Sequence, residues 1–333
     1  MKNKEAIEFC RTMIADCVGA APEEIFFTSG SSEGNAWALK QSSMTLCSPY
    51  EHHNIISNPC SRIIDVDYLK RSISYQNDDI LGQLLFKDKL GSWMYVNNET
   101  GEIFDLDNIS ALMKKLGLNI HSDMTQALGN VPINLHKMNI DIATFSGHKV
   151  HAPKGVGFIY FNKNTFPVDK IVPLIYGGGQ EKGIRAGTEN FPYITALAHA
   201  VKRATGELEK KQNYCKTLKL AFLEELSKDF DSNNWMIVSP SNSINSTVTV
   251  CFKGIDGEIL MACLNDDLVY VGTGSACNSG DMEPSTVLSE MGIPEDYIRG
   301  EIRISLDLTN TVEEVVYCAQ KLKKYYKDLT DGV

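Results

Sequence analysis

The sequence has no apolar run that approaches the roughly 20 residues needed to span a bilayer. Its start, Met1-Lys2-Asn3-Lys4-Glu5, leads into an amphipathic pattern and not into a signal-peptide core. It also lacks a basic excess, since 32 Lys and Arg residues stand against 42 Asp and Glu residues, a net charge of −10. Proteins that neutralise nucleic-acid phosphates need the opposite balance. We therefore expect a cytoplasmic protein that binds neither membranes nor nucleic acids.

The nine cysteines form no C-x-x-C pair and are odd in number, which argues against a disulfide framework or a zinc ribbon. Eight of them stand in periodic or apolar surroundings and are predicted to be core or near-core residues. Cys277 differs because it lies in the Gly/Ser loop 272–280, where packing does not explain a thiol. A loop on a rigid scaffold is the expected place for a mobile nucleophile.

Strand-like and helical segments alternate after a first helix at 3–18. Strands are predicted at 24–28, 93–97, 118–122, 140–145 and 156–161, which favours an α/β fold with a mainly parallel sheet. Beyond a long helix at 193–227 the predicted elements are strand 245–252, helix 256–264, strands 268–271 and 302–306, and a last helix from Val312. The length of 333 residues favours two domains. We predict a large domain at 1–204 and a smaller α+β domain at 205–333.

A lysine follows one predicted strand, in Ser146-Gly147-His148-Lys149, and Asp123 ends the strand before it. A lysine in such a position is most often a surface charge. However, parallel neighbouring strands would bring Lys149 and Asp123 to the same carboxyl edge of the sheet. Pyridoxal phosphate needs this pair, because the lysine forms an imine with the cofactor and the carboxylate keeps the pyridine nitrogen protonated.

A phosphate also needs a cradle, and the turn at 28–34, Thr-Ser-Gly-Ser-Ser-Glu-Gly, is typical of one. It lacks the Gly-Lys-Ser/Thr ending of a P-loop, and Gly/Ser turns that bind nothing are common. His52, in Glu51-His52-His53, has the chemistry to stack on a flat ring or to move a proton, or else to be a loop histidine bonded to the backbone.

A metal site is the alternative use of the same region. His148 and His151 have the spacing of metal ligands on a helix, and with His121 and Asp123 they would suit a metal hydrolase. If the segment follows a strand, the two imidazole rings need not converge. We therefore predict no metal.

Together and in this order, the motifs resemble cysteine desulfurases of the NifS/IscS type, in the class V aminotransferase group of pyridoxal phosphate enzymes. The resemblance runs from about Ala6 to Leu322. The matching segments are Phe27-Thr28-Ser29-Gly30, Glu51-His52, Val96-Asn97-Asn98-Glu99, Asp123-x-x-Gln126, Ser146-Gly147-His148-Lys149, Arg185-x-Gly187-Thr188, Gly274-Ser275-Ala276-Cys277 and Arg303.

The resemblance implies a pyridoxal phosphate-dependent transferase of fold type I and a role for each matching residue. Lys149 would hold the cofactor and move the Cα proton, His52 would stack on the ring, and Asp123 would pair with the pyridine nitrogen. Gln126 would contact the phenolic oxygen of the ring. The phosphate ligands would be Ser31, Ser32, Ser146, His148 and, from the partner subunit of a homodimer, Thr188. Asn98 and Arg303 would orient the substrate, the arginine by a bidentate grip on its carboxylate.

The implied reaction converts L-cysteine to L-alanine and leaves the sulfur as a persulfide on Cys277. The sulfur would then pass to an acceptor protein such as an iron–sulfur scaffold or a thiolation enzyme. Three features depart from the family pattern. The chain starts almost directly in the first helix, the segments between Gly30 and His52 and between His53 and Asn98 are shorter than usual, and Asp307-Leu308 stands where a Gly-Arg pair is common. The alternatives are a selenocysteine lyase or another β-eliminating lyase, and a catalytically impaired sulfur-relay or assembly protein.

Overall fold

The computed structural model describes residues 2–64, 89–274 and 284–331, and the chain divides into two compact units. The first unit comprises Met1–Tyr95 and Phe104–Leu208, and the second comprises Val96–Ile103 and Glu209–Val333. Segment 96–103 therefore belongs to the second unit, although the sequence analysis assigned it to the first domain.

The first unit alternates helices with the strands of one sheet. Its helices are α1 (Lys2–Val18), α2 (Ser31–Leu39), α3 (His53–Ile56), α4 (Leu106–Lys115) and α5 (Phe191–Gly206). Its strands are β1 (Ile25–Thr28), β2 (Met44–Cys47), β3 (Ser61–Ile63), β4 (Lys89–Ser92), β5 (Asn119–Asp123), β6 (Ile142–Ser146) and β7 (Gly157–Phe161).

The seven strands have the order β1-β7-β6-β5-β4-β2-β3. Strand β7 is antiparallel to both neighbours, and the other pairings are parallel. The α/β fold with a mainly parallel sheet is thus confirmed. A core beneath α2 is formed by edge-to-face aromatic rings, with centroids of Trp37 and Phe161 5.3 Å apart and those of Phe26 and Trp37 6.2 Å apart. This packing fixes α2 against β1 and β7.

The second unit has an antiparallel sheet of order β10-β9-β8. Its strands are β8 (Trp235–Ile237), β9 (Thr247–Phe252) and β10 (Glu301–Ser305). Its helices are α6 (Leu208–Ser227), α7 (Gly257–Asp266), α8 (Thr286–Glu290), α9 (Glu295–Ile298) and α10 (Val312–Asp331). One buried cluster joins sheet and helices through residues such as Phe222, Phe252 and Leu322.

Two predicted strands are wrong. Strand β4 ends at Ser92, before the predicted strand 93–97. The N–H groups of Trp93 and Tyr95 still donate to the carbonyls of His121 and Asp123 on β5, and Val96 then pairs with Ile103. Segment 268–271 begins with Leu268 in the left-handed region at φ 60°, and only its successor Gly272 forms a bridge, with Arg303. The predicted long helix 193–227 is two helices, α5 and α6, with Glu207 between them.

The cysteine prediction holds for most positions and fails for one. Cys10, Cys47, Cys215, Cys251 and Cys318 are buried and reduced. Cys60, in contrast, is exposed, because it lies in the turn after Pro59 that joins α3 to β3. Within the ranges that the model describes, no helix combines the length and the apolarity needed to cross a membrane.

Candidate active site

The carboxyl ends of β5 and β6 bring the first predicted site residues to one edge of the sheet. The two strands are parallel and pair Asp123 with Thr144, so Asp123 and Ser146 end neighbouring strands. A 3-10 helix, Gly147–Val150, follows β6 and carries the exposed side chains of His148 and Lys149. Gly147 is needed at this turn, because an added Cβ would lie 2.8 Å from Leu197 and 2.9 Å from the carbonyl oxygen of Val156.

The Asp123 carboxylate is buried, with only 6% of the residue exposed, and it accepts two hydrogen bonds. Asn35 donates from Nδ2 to Oδ2 at 2.7 Å, and the backbone N–H of Thr125 donates to Oδ1 at 2.9 Å. A carboxylate accepts about four hydrogen bonds, so Asp123 retains capacity for a further donor. Gln126 follows in the turn that closes on the carbonyl of Met124 and is partly buried.

The glycine-rich turn after β1 packs closely on the end of β6. Gly30 has φ 154°, which favours glycine, and a Cβ there would lie 3.3 Å from Oγ of Ser146. On β7, a Cβ at Gly157 would lie 2.8 Å from Cα of Gly30. Ser31 and Ser32 then open α2, whose first turn leaves N–H groups without intrahelical acceptors. The turn thus places hydroxyls and N–H donors next to Ser146.

Ser146 and His148 form the second side of this cradle. Oγ of Ser146 lies 2.9 Å from Nδ1 of His148. Partial desolvation and then the positive charges of Lys149 and Lys154 lower the pKa of His148. The neutral ring therefore predominates at neutral pH and leaves a nitrogen free to donate or accept, depending on its tautomer.

His52 is connected to Asp123 through two asparagines. It is the residue that caps α3, and its Nδ1 lies 3.1 Å from Oδ1 of Asn54. That oxygen also accepts a hydrogen bond of 3.3 Å from Asn35, which in turn binds Asp123. The predicted ring-stacking residue and the predicted ring-nitrogen partner therefore belong to one hydrogen-bond network.

Two ion pairs position the turn that bears Thr188. Arg185 binds Glu33 of α2 with a fork of 2.8 and 3.1 Å, and Glu33 also accepts from the N–H of Ser29. Arg11 of α1 makes a buried bidentate pair with Glu181, with both N–O distances 2.8 Å. Thr188 itself is exposed in this single chain.

The predicted substrate residues lie in the second unit. Arg303 is on β10, and its Nη1 donates to the carbonyl oxygen of Asn98 at 3.3 Å. Its backbone pairs with Gly272 in both directions, at 2.9 and 2.7 Å. Asn98 and Arg303 are thus adjacent within this unit. Cys277, in segment 275–283, lies outside the described residues.

Sequence reasoning missed the residues that support Asp123. Asn35 and Thr144 were not singled out, and His121 was considered only as a metal ligand. Asn35 is nevertheless a polar residue on the apolar face of α2, beside Gly34 and Trp37, and is 1% exposed. A buried amide requires hydrogen-bond partners, and that requirement was the available signal.

The donor set fits pyridoxal phosphate. The hydroxyls of Ser31, Ser32 and Ser146, the N–H groups that begin α2 and the ring nitrogen of His148 suit a phosphate. The acceptor capacity of Asp123 suits a pyridinium N–H, and Lys149 supplies the amine. Among the residues that the model describes, no group of three or more His, Cys, Asp or Glu side chains is arranged to hold a metal ion.

Comparisons with known proteins give a consistent result. The model of the family Aminotransferase class-V matches residues 1–317. The chain is 36% identical over 327 residues to cysteine desulfurase IscS of Methanosarcina thermophila, covering 94% of this chain and 79% of that protein. It is 33% identical over 341 residues to cysteine desulfurase IscS of Dictyoglomus turgidum, covering 98% and 85%. The X-ray structure of a NifS-like protein from Rickettsia africae superposes with a TM-score of 0.84 at 29% identity, covering 98% and 89%.

Proposed function

Since the chain belongs to the class V aminotransferase family, among its cysteine desulfurases, we propose that it is a pyridoxal phosphate-dependent enzyme that converts L-cysteine to L-alanine. The arrangement that supports this function best is the buried Asp123 carboxylate, which ends β5 beside the strand that leads to Lys149. When bound, pyridoxal phosphate supplies an electron sink that acidifies the Cα–H bond of an amino acid.

Cofactor binding is assigned to the first unit. Asp123 would bind the pyridine nitrogen, Gln126 would bind the phenolic oxygen, and His52 would stack on the ring. The phosphate would be bound by Ser31, Ser32, Ser146 and His148. In a homodimer, Thr188 of the partner subunit would complete this phosphate site. The ion pair between Arg185 and Glu33 holds the Thr188 turn relative to α2 and so supports this assignment.

Lys149 and the second unit carry out the remaining steps. Lys149 would hold the cofactor through its amine and would move a proton at Cα of the substrate. Arg303 and Asn98 bind the substrate carboxylate, and the contact between them supports a shared role.

Cys277 receives the sulfur. Its thiolate attacks Sγ of the substrate, an S–S bond forms as the Cβ–S bond breaks, and Cβ gains a proton to become the methyl group of alanine. One thiol and one cysteine thus give one persulfide and one alanine, with no external oxidant or reductant. The persulfide then passes to an acceptor protein, such as an iron–sulfur scaffold or a thiolation enzyme, in the cytoplasm.

The colour of the purified protein tests cofactor binding. Protein reconstituted with pyridoxal phosphate is expected to be yellow, and Lys149→Ala is expected to lose the absorbance of the lysine-bound cofactor. Lys137→Ala is the matched control, because Lys137 is an exposed lysine of the first unit outside the proposed site. A colourless wild-type protein, or an unchanged spectrum in Lys149→Ala, contradicts the proposal.

A further inference from the structure

A line of buried polar side chains leads away from Asp123 into the sheet. It crosses α2, β6, β5 and β4 and ends at the residue before His52. Each member is at most 6% exposed: Asp123 6%, Asn35 1%, Thr144 0%, His121 0%, Ser92 0% and Glu51 3%.

Consecutive members are within hydrogen-bond distance. The separations are 2.7 Å from Asp123 Oδ2 to Asn35 Nδ2, 2.5 Å from Asn35 Oδ1 to Thr144 Oγ1, 3.2 Å from Thr144 Oγ1 to His121 Nε2, 2.8 Å from His121 Nδ1 to Ser92 Oγ, and 3.4 Å from Ser92 Oγ to Glu51 Oε1. The last contact is the longest. Because these groups are shielded from bulk water, each must find its partners within the protein.

The charge on Asp123 fixes the direction of the first bonds. A carboxylate only accepts, so Asn35 turns its NH₂ group to Asp123 and its oxygen to Thr144. Thr144 donates its single hydroxyl proton to that oxygen, so the Thr144 oxygen must accept a hydrogen bond from His121. His121 therefore carries a proton on Nε2.

The remaining bonds follow if the imidazole is neutral. A neutral ring protonated on Nε2 accepts at Nδ1, so Ser92 gives its only proton to His121. The Ser92 oxygen can then only accept a hydrogen bond, and the side chain that faces it is the carboxyl group of Glu51. Only a protonated Glu51 has a hydrogen to donate.

We propose that Glu51 is a positioning residue, a neutral carboxylic acid whose proton starts a hydrogen-bond line that runs in one direction to Asp123. The line orients Asn35 and thereby holds Asp123 toward the cofactor's ring nitrogen. This role for Asp123 rests on the proposed function, whereas the protonation of Glu51 is argued from the hydrogen-bond pattern together with the burial of His121 and does not depend on the cofactor.

Electrostatics agree with this assignment. Complete burial and then the negative charge of Asp123 raise the pKa of Glu51 to about 8, although the backbone N–H groups of His52 and Met94 oppose the shift, as the Ser92 hydroxyl would if it donated to an ionised Glu51. Burial lowers the pKa of His121 to about 4, so its ring is neutral at pH 7. The other titratable group facing Glu51 is the Cys47 thiol, whose pKa burial and Glu51 raise to about 12.

A charged arrangement is the alternative outcome. If Glu51 were ionised and His121 doubly protonated, every hydrogen bond would still have a donor. That arrangement buries an imidazolium whose two direct partners are hydroxyls and not carboxylates, which makes it the costlier one.

Spectroscopy of the apoprotein near pH 6.5 separates the two arrangements without the cofactor. Infrared difference spectra between wild type and Glu51→Gln are expected to show the C=O stretch of a carboxylic acid that the variant loses. Glu301→Gln is the control, because the pKa of Glu301 is also raised to about 8 and its band must be assigned separately. In ¹⁵N spectra, His121 is expected to be neutral with its proton on Nε2. An imidazolium signal for His121, or no band lost in Glu51→Gln, overturns the proposal.

Cofactor affinity tests the positioning role. The amide introduced by Glu51→Gln keeps a donor for Ser92, so this variant is expected to bind pyridoxal phosphate within about threefold of wild type, whereas Glu51→Ala and Ser92→Ala lose about tenfold or more. Ser122→Ala is the matched control, because Ser122 is buried on β5 but its hydroxyl has no hydrogen-bond partner among the described residues. Equal losses in Glu51→Gln and Glu51→Ala, or no loss in either, overturn the role. A wild-type protein that fails to bind the cofactor contradicts the proposed function, and the apoprotein spectra still report the Glu51 proton.

Discussion

Asn35 of helix α2 donates a hydrogen bond of 2.7 Å from Nδ2 to Oδ2 of Asp123 at the end of β5. The helix that begins with Ser31 and Ser32 therefore also orients the carboxylate assigned to the ring nitrogen. One short helix, fixed by the packing of Trp37 on Phe26 and Phe161, thus couples the two ends of the cofactor site.

Replacing Asn35 by leucine is expected to weaken the binding of pyridoxal phosphate about tenfold or more, because a hydrogen bond to a buried charged group is lost at similar volume. Asn35→Asp is expected to be worse, since it places a second carboxylate against Asp123. Titration of the apoprotein followed by fluorescence quenching measures both affinities. Wild-type affinity in Asn35→Leu would show that this contact does not support the site.

Cys277→Ser is expected to keep the absorbance of the bound cofactor and to lose the persulfide formed with L-cysteine. Cys60→Ser is the matched control, because Cys60 is an exposed thiol of the first unit outside the proposed site. Mass spectrometry of the intact protein after alkylation measures the added sulfur atom. A persulfide that survives in Cys277→Ser, or alanine production from selenocysteine that does not need Cys277, favours a β-eliminating lyase.

The stability of the apoprotein is expected to fall between pH 6.5 and 8. Glu51 and Glu301 have pKa values of about 8 in the folded chain against 4.5 as the ordinary value, so the unfolded chain loses these protons first. Each group contributes a slope of at most about 1.4 kcal/mol per pH unit. Below pH 6.5, His121, whose pKa is lowered to about 4, gives a slope of the opposite sign.

Urea midpoints across this pH window measure the effect. Glu51→Gln and Glu301→Gln are each expected to remove part of the slope, whereas Glu290→Gln, at an exposed carboxylate, leaves it in place. A slope that is the same in wild type and in Glu51→Gln would argue that Glu51 is ionised in the folded protein.

The buried pair of Arg11 and Glu181, which positions the turn before Thr188, is expected to contribute to the stability of the fold. Both side chains are at most 5% exposed, so Arg11→Met leaves a buried unpaired carboxylate and costs about 3–5 kcal/mol of unfolding free energy. The double variant with Glu181→Gln should recover part of that loss. Lys163→Ala, which breaks an exposed pair with Glu23, is expected to leave the urea midpoint unchanged. Equal midpoints for Arg11→Met and wild type contradict this account.

Much of the fold was predictable because its signals are local. Apolar runs ended by glycine or by a polar residue predicted β1, β5, β6 and β7 within a few positions, and the parallel pairing of β5 with β6 followed from their alternation with helices. Strand 93–97 was wrong because the regular strand ends at Ser92, although Trp93 and Tyr95 still donate to β5. Trp93, Met94 and Val96 are buried whether or not they belong to a strand, and composition does not distinguish the two cases.

The placement of Asp123 and Ser146 at one edge of the sheet was predictable, because both stand in short motifs at strand ends. The residues behind Asp123 were not, because Asn35, Thr144 and Ser92 lie far apart in sequence and meet only when three strands and a helix pack. The protonation state of Glu51 is still harder to predict from the sequence, since it depends on the direction of each hydrogen bond between Glu51 and Asp123.

The most direct test of the central claim is a single-turnover reaction of the reconstituted protein with L-cysteine under anaerobic conditions, with alanine and protein-bound sulfur measured together. The proposed function predicts one alanine and one persulfide on Cys277 per active site in wild type, and neither product in Lys149→Ala. Absence of alanine from the wild-type protein, or alanine accompanied by free sulfide and no persulfide on Cys277, would contradict it.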